Sequence, residues 1–264
     1  MRDAGLDRAI DAAGGIAQLA RKIGIAQPSV SNWSRVPAER VIAVEAATGV
    51  SRKQLRPDLY TELAVPHDGV DPVDAGRAQE YALLGALLSY APSNALLSQI
   101  ARLRDDATPL GHAHAAVAEA ASIAVAGEVE REYLDLFVGL ARGELLPYAS
   151  YYLTGSLYGR PLARLRQALQ RLGIARAEHL SEPEDHAAIL CELMASLAGG
   201  QIAGPVEAER EIFETHLAPW IGRFFADLEG AESASFYARV GALGRTFVGI
   251  ETKAFTLPAS GQVR

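Results

Sequence analysis

The sequence predicts an all-α protein, a small helix-turn-helix domain followed by a larger all-helical bundle. Three observations carry this. Apolar residues recur at spacings of three and four along nearly the whole chain, and no stretch alternates convincingly enough to give a strand pair. Hydrophobic residues make up 49% of the 264, much of it alanine and leucine, which favours helix. The breaks between periodic stretches are short and carry glycine or proline.

Charge is unevenly distributed. Residues 1–66 hold nine Lys and Arg against seven Asp and Glu, whereas the remainder is strongly acidic and brings the chain to a net −7. The second part therefore favours cationic partners and repels nucleic acid. A single cysteine, Cys191, excludes an internal disulfide and suits a reducing compartment. No apolar run reaches membrane-spanning length and no export signal is evident, so a soluble, cytoplasmic protein without membrane insertion is expected.

In residues 1–60, Leu6, Ala9, Ile10 and Ala13 form a first stripe ended by Gly14-Gly15. A second helix runs from Ile16 to Ile23 and a third from Gln27 to about Ser34. Ala20 allows a close crossing, Gly24 suits a tight turn, and Val30 and Trp33 return to the core. A further helix spans Ala38 to Thr48. Gln27, Ser31, Asn32 and, just beyond, Arg35 are left facing outward, residue types suited to base edges and phosphates. The other reading is a helix-turn-helix that binds protein, or nothing, instead of DNA.

These residues resemble the YdaS/Cro-type repressor helix-turn-helix family. The likeness rests on Ala9 to Gly15, Leu19 to Gly24, Val30-Ser31-Asn32-Trp33, Val36 to Arg40 and Leu55 to Asp58. It implies a phage-repressor-type DNA-binding module that works as a dimer.

Residues 61–75 lack periodicity, carry two prolines and three aspartates, and read as a linker. From 76 to 264 helices follow one another. His112 and His114 lie two apart, off a common helix face, and the six histidines suggest no metal constellation. No phosphate loop, nucleophile elbow or zinc-protease motif is present, so neither catalysis nor a cofactor is expected.

Two stretches stand out. Residues 143–155 read as a long loop whose Tyr148, Tyr151 and Tyr152 either line a groove or fill a gap between helices. Ser181-Glu182-Pro183-Glu184-Asp185-His186 reads as a helix start, with Ser181 and Glu184 as a capping box, Pro183 in the first turn and three carboxylates at the positive end of the dipole. Ile189, Leu190, Leu193, Met194 and Leu197 continue it as a core-facing stripe. Asp185 and His186 exceed what a helix start needs. Here too a plain, solvated acidic first turn is the competing reading.

Glu132-Tyr133 with Leu136-Phe137, the Pro147 to Gly155 stretch, Glu182 to His186, His216-Leu217 with Pro219-Trp220, and Phe236-Tyr237 occur in an order similar to the TorD/DmsD family of molybdoenzyme chaperones. The resemblance covers about residues 77–255. It implies an all-helical, cytoplasmic, non-enzymatic chaperone whose partners are the apo-catalytic subunit of a molybdopterin-containing oxidoreductase and its twin-arginine leader peptide. On that basis Asp185 and His186 are expected to touch the partner, with Glu184, Pro183 and Glu132 beside them. Tyr133, Tyr148 and Tyr151 are expected in the groove, and His186 near a carboxylate is expected to make binding pH-sensitive. The alternative is a transcriptional regulator whose helical domain senses a partner or ligand.

Overall fold

The computed structural model describes residues 2–37, 40–50, 52–56, 70–139, 142–174, 182–202 and 206–257. All regular structure among them is helical, with one isolated β-bridge. The chain separates into two compact units, Met1–Glu62 and Leu63–Arg264.

The first unit contains α1 (Ala4–Ala13), α2 (Ile16–Lys22), α3 (Gln27–Ser31), α4 (Val41–Thr48) and α5 (Arg52–Leu55). Asp3 caps α1 by accepting from the Leu6 amide at 2.8 Å. Gly14 (φ 86°) and Gly49 (φ 71°) end α1 and α4 in the left-handed conformation that glycine adopts without strain. Leu6, Ala9, Leu19, Ala20, Val30, Val44 and Leu55 form the core, with Trp33 packed on it. α3 is shorter than the spacing predicts, because the chain leaves the helix at Asn32, its C-cap. The start of the helix expected from Ala38 lies partly outside the described residues.

The second unit contains α6 (Pro72–Ser89), α7 (Asn94–Ile100), α8 (Pro109–Ile123), α9 (Ala126–Tyr133), α10 (Ala149–Thr154), α11 (Arg160–Arg171), α12 (Ala187–Ala198), α13 (Val206–Glu211), α14 (Ala218–Glu229) and α15 (Phe236–Thr256). α9 and α13 each continue into a π-helical turn, Leu134–Val138 and Ile212–Leu217. α6 packs along α12, and α14 along α15. Leu84, Leu87, Met194, Trp220, Phe224, Phe225, Tyr237 and Leu243 are among the residues that fill the core between them.

Three sequence expectations are corrected here. Helix α6 begins at Pro72, capped by Asp71 through the Val73 amide at 2.8 Å, so the last residues of the expected linker are helical; residues 61–69 lie outside the described ones. Residues 149–154 of the expected aromatic loop are helix α10. Helix α12 starts at Ala187, not in the 181–184 region, and Ser181 lies outside the described residues.

The α14–α15 crossing depends on glycine. A Cβ on Gly241 would lie 2.5 Å from the Glu229 backbone nitrogen and 2.9 Å from the Phe225 carbonyl oxygen, whereas one on Gly222 meets open space. Backbone cannot yield as a side-chain tip does. Gly241→Ala is expected to destabilise the fold by about 3 kcal/mol, the upper end of ordinary overpacking. Gly222→Ala should instead stabilise it by up to ~1 kcal/mol through helix propensity. Urea melts of the two variants check this, and equal midpoints would contradict the close packing.

A partly buried ionic cluster, centred on the buried Glu251, ties three helices together. Arg77 on α6 donates to both carboxylate oxygens of Glu251 on α15, at 2.8 and 2.7 Å. It also donates to Glu209 on α13 and to Asp74. Its guanidinium lies 5.1 Å from the centre of the Phe255 ring.

Candidate functional site

The site is assembled where the 182–186 strap runs beside the start of α10. The two segments pair antiparallel at one bridge, Tyr148 with His186. The Ala149 amide donates to the Asp185 carbonyl at 3.0 Å, and the Ala187 amide to the Pro147 carbonyl at 2.8 Å. Neither stretch has the length or alternation of a strand, so the pairing cannot be read from periodicity.

Asp185 is 1% exposed. Its Oδ2 accepts from the Ser150 amide at 2.8 Å and so caps the short helix α10. Its Oδ1 is buried and has no hydrogen-bond partner among the described residues. Ser150 is itself fully buried, and its hydroxyl oxygen accepts from the Tyr158 amide at 3.0 Å. Asp185 therefore fixes α10 and, through Ser150, the loop that follows it.

His186 caps α12. Its Nδ1 accepts from the Ala188 amide at 3.1 Å, which requires that nitrogen to be unprotonated. Burial pushes its pKa down to about 4 against the pull of Glu182 and Asp185. The ring meets Tyr148 edge-on at 5.0 Å. The expected pH sensitivity of binding through His186 does not reach neutrality, because burial keeps the ring neutral there. Its depressed pKa acts on folding instead. Between about 4 and the unfolded value near 6.5 the unfolded chain binds more protons, so stability falls as pH drops through that window. The expected loss is about 3 kcal/mol. His186→Asn keeps a capping oxygen and should flatten this part of the stability–pH curve; an unchanged slope would contradict the assignment.

Glu184 is buried and engages Arg166 of α11, with Nε and Nη2 both donating to Oε2 at 3.0 and 2.8 Å. The Pro183 carbonyl accepts from the His186 amide at 3.1 Å and makes the turn that delivers the strap. The exposed members are Glu182 and the half-buried Tyr148, whose hydroxyl donates to Glu182 Oε2 at 2.5 Å. Burial, followed by that carboxylate, holds the Tyr148 phenol well above its usual pKa, and the Tyr158 hydroxyl adds to the push.

The remaining predicted residues take other places. Tyr133 donates its hydroxyl to the Ser89 carbonyl at 2.9 Å, closing the end of α6, and its ring packs on Phe137 and Tyr237. Burial raises its pKa, with Glu182 and Tyr90 contributing. Glu132 is not a groove residue: its carboxylate accepts from the Ser235, Phe236 and Tyr237 amides and caps α15. Tyr151 turns away to a separate cavity of about 350 Å³, where Arg142 donates to its hydroxyl at 2.7 Å and stacks on its ring.

Asp185 and His186 were expected to touch the partner directly; both side chains are buried and cap α10 and α12, so neither is presented at the surface. Sequence reasoning missed Glu182 as the exposed carboxylate, although it stood in the quoted motif. Tyr158 was not singled out either, because its exposure rests on a positive φ that spacing does not encode. Cys191 is buried and its thiol is pushed up in pKa by that burial, consistent with packing.

In the first unit, Gln27, Ser31, Asn32 and Arg35 are all exposed, on α3 and its exit. The Ser31 hydroxyl donates back to the Gln27 carbonyl at 3.1 Å. Among the described residues no group of three or more His, Cys, Asp and Glu is placed to hold a metal ion, and no helix is long and apolar enough to cross a membrane.

The strap and the start of α10 leave an exposed Glu182 beside a half-buried Tyr148 at the edge of an all-helical unit. Comparison with known proteins agrees with the resemblances read from the sequence. Residues 103–226 match the family described as nitrate reductase delta subunit, and residues 6–64 the family described as bacterial toxin YdaS. Relatives include the chaperone protein TorD of Vibrio cholerae serotype O1, 29% identical over 130 residues, covering 46% of this chain and 59% of that protein. TorD of Aliivibrio fischeri is 28% identical over 136 residues, covering 48% and 63%. The chain thus spans less than two thirds of the length of these relatives. Named as chaperones, they agree with the reading of a non-enzyme. A solved structure from Archaeoglobus fulgidus, described as a candidate redox enzyme maturation protein, aligns with TM-score 0.44 and 20% identity over 72% of this chain and 99% of its own.

Proposed function

We propose that the second unit is a maturation chaperone that holds the cationic, apolar leader of a molybdopterin-containing oxidoreductase, or its apo-catalytic subunit, before cofactor insertion and export. Such a role belongs on the cytoplasmic side. The observation that carries it is the exposed Glu182–Tyr148 pair, set on a strap that Asp185 and His186 lock from beneath. A leader arginine matches a carboxylate bidentately, and a tyrosine beside it offers apolar area with a polar end. Rigid support lowers the entropy lost on binding. Titration of the full chain with a synthetic peptide of two adjacent arginines followed by an apolar run tests this. Saturable binding that weakens with salt is expected, and the absence of binding overturns it.

A second activity is favoured by the YdaS match and the four exposed polar side chains around α3: DNA binding by the first unit, as a regulator coupled to assembly of the client. Asn32→Ala should cost about 1–3 kcal/mol against the preferred site and relax its specificity. Electrophoretic shifts of the full chain at several salt concentrations check it, and salt-insensitive or absent binding removes this reading.

A further inference from the structure

Two non-glycine residues among those described have positive φ, Ala107 (62°) and Tyr158 (68°). Ala107 is small, and its amide is held by Asp105 Oδ1 at 2.7 Å in a local turn. Tyr158 is bulky, and for such a side chain the left-handed region is strained. The loop around it already uses glycine at 155 (φ 76°) and 159 (φ 76°). A third glycine at 158 would satisfy the same backbone without strain.

The tyrosine returns little to the fold. It is 58% exposed, and its ring stacks on no other ring or cation among the described residues. Only its backbone is anchored, the amide donating to Ser150 Oγ. Ser150 is in turn held by Asp185, so the ring is presented outward from the same buried strut that supports Tyr148 and Glu182. Leu157, immediately before it, is also exposed, at 38%.

We infer that Tyr158, with Leu157, forms an aromatic shelf on the client-binding edge, which receives the apolar run of a peptide whose arginines meet Glu182. This rests on the reading of that edge given above and adds the element that selects for the apolar segment. An exposed tyrosine on an anchored backbone is the kind of residue that carries a large share of an interface's energy. The Tyr158 amide binds Ser150 Oγ, two residues from Tyr148, so the two tyrosines leave the same short stretch of the edge.

The experiment titrates full-length wild type, Tyr158→Gly, Tyr158→Phe and Glu182→Gln with the diarginine peptide, and records the melting temperature of each. Tyr158→Gly is expected to melt higher than wild type, because the strain is released, and to bind about tenfold more weakly. Tyr158→Phe should bind within a few-fold of wild type. Unchanged affinity in Tyr158→Gly, with affinity lost in Glu182→Gln, overturns the shelf and leaves the chaperone reading standing. A lower melting temperature for Tyr158→Gly overturns the argument from strain. No binding by wild type removes both the shelf and the reading beneath it.

Discussion

Arg77→Ala is expected to lower the stability of the second unit by about 3–5 kcal/mol, the cost of leaving a buried charge without its partner. Glu251 is 1% exposed and receives two of the guanidinium's hydrogen bonds. Glu209 and Asp74 hold the same cation from α13 and the start of α6. Truncation therefore leaves one carboxylate sealed in the core and removes the shared tie among α6, α13 and α15. Like all buried pairs, the cluster is weak as a net source of stability, but it is costly to break on one side. Arg77→Met combined with Glu251→Gln should recover much of the loss by removing both charges. Urea unfolding of the single and double variants measures this. A loss below about 1 kcal/mol for the single change would mean that Glu251 is hydrated.

Glu182→Lys is expected to reduce affinity for the diarginine peptide about a hundredfold while leaving the melting temperature nearly unchanged. The residue is exposed and its carboxylate meets the Tyr148 hydroxyl at 2.5 Å. Reversal both removes an attractive group and places a like charge against the arginines, costing about 3 kcal/mol in total. Because the site is exposed, the effect should shrink as salt rises. Asp185→Asn should behave differently. Its carboxylate is buried and anchors α10, so it should lower stability and affinity together.

The helical architecture was legible because apolar stripes at three and four residues persist over most elements. Leu84, Leu87 and Leu88 on α6 and Leu190, Leu193 and Met194 on α12 show it directly. What escaped was anything fixed by distant partners. α10 is only six residues long, too short for a stripe, and its cap comes from Asp185, 35 residues away. Glu132 looked like a groove carboxylate, yet it caps a helix whose Tyr237 lies 105 residues further on. Glu184 fits a capping-box pattern by spacing, while the fold pairs it with Arg166 and leaves the capping of α12 to His186. The residue types of the site were therefore readable, and their division into buried supports and exposed contacts was not. Tyr158 depends on a backbone angle that spacing does not encode.

In the proposed complex the Glu182 carboxylate itself meets a leader arginine. A double-mutant cycle tests this most directly. Affinity of the full chain is measured for wild type and Glu182→Gln, each against the diarginine peptide and against the same peptide with both arginines replaced by glutamine. A coupling energy of at least ~1 kcal/mol is expected, as direct charge pairs give. Additive losses, with coupling indistinguishable from zero, would contradict it.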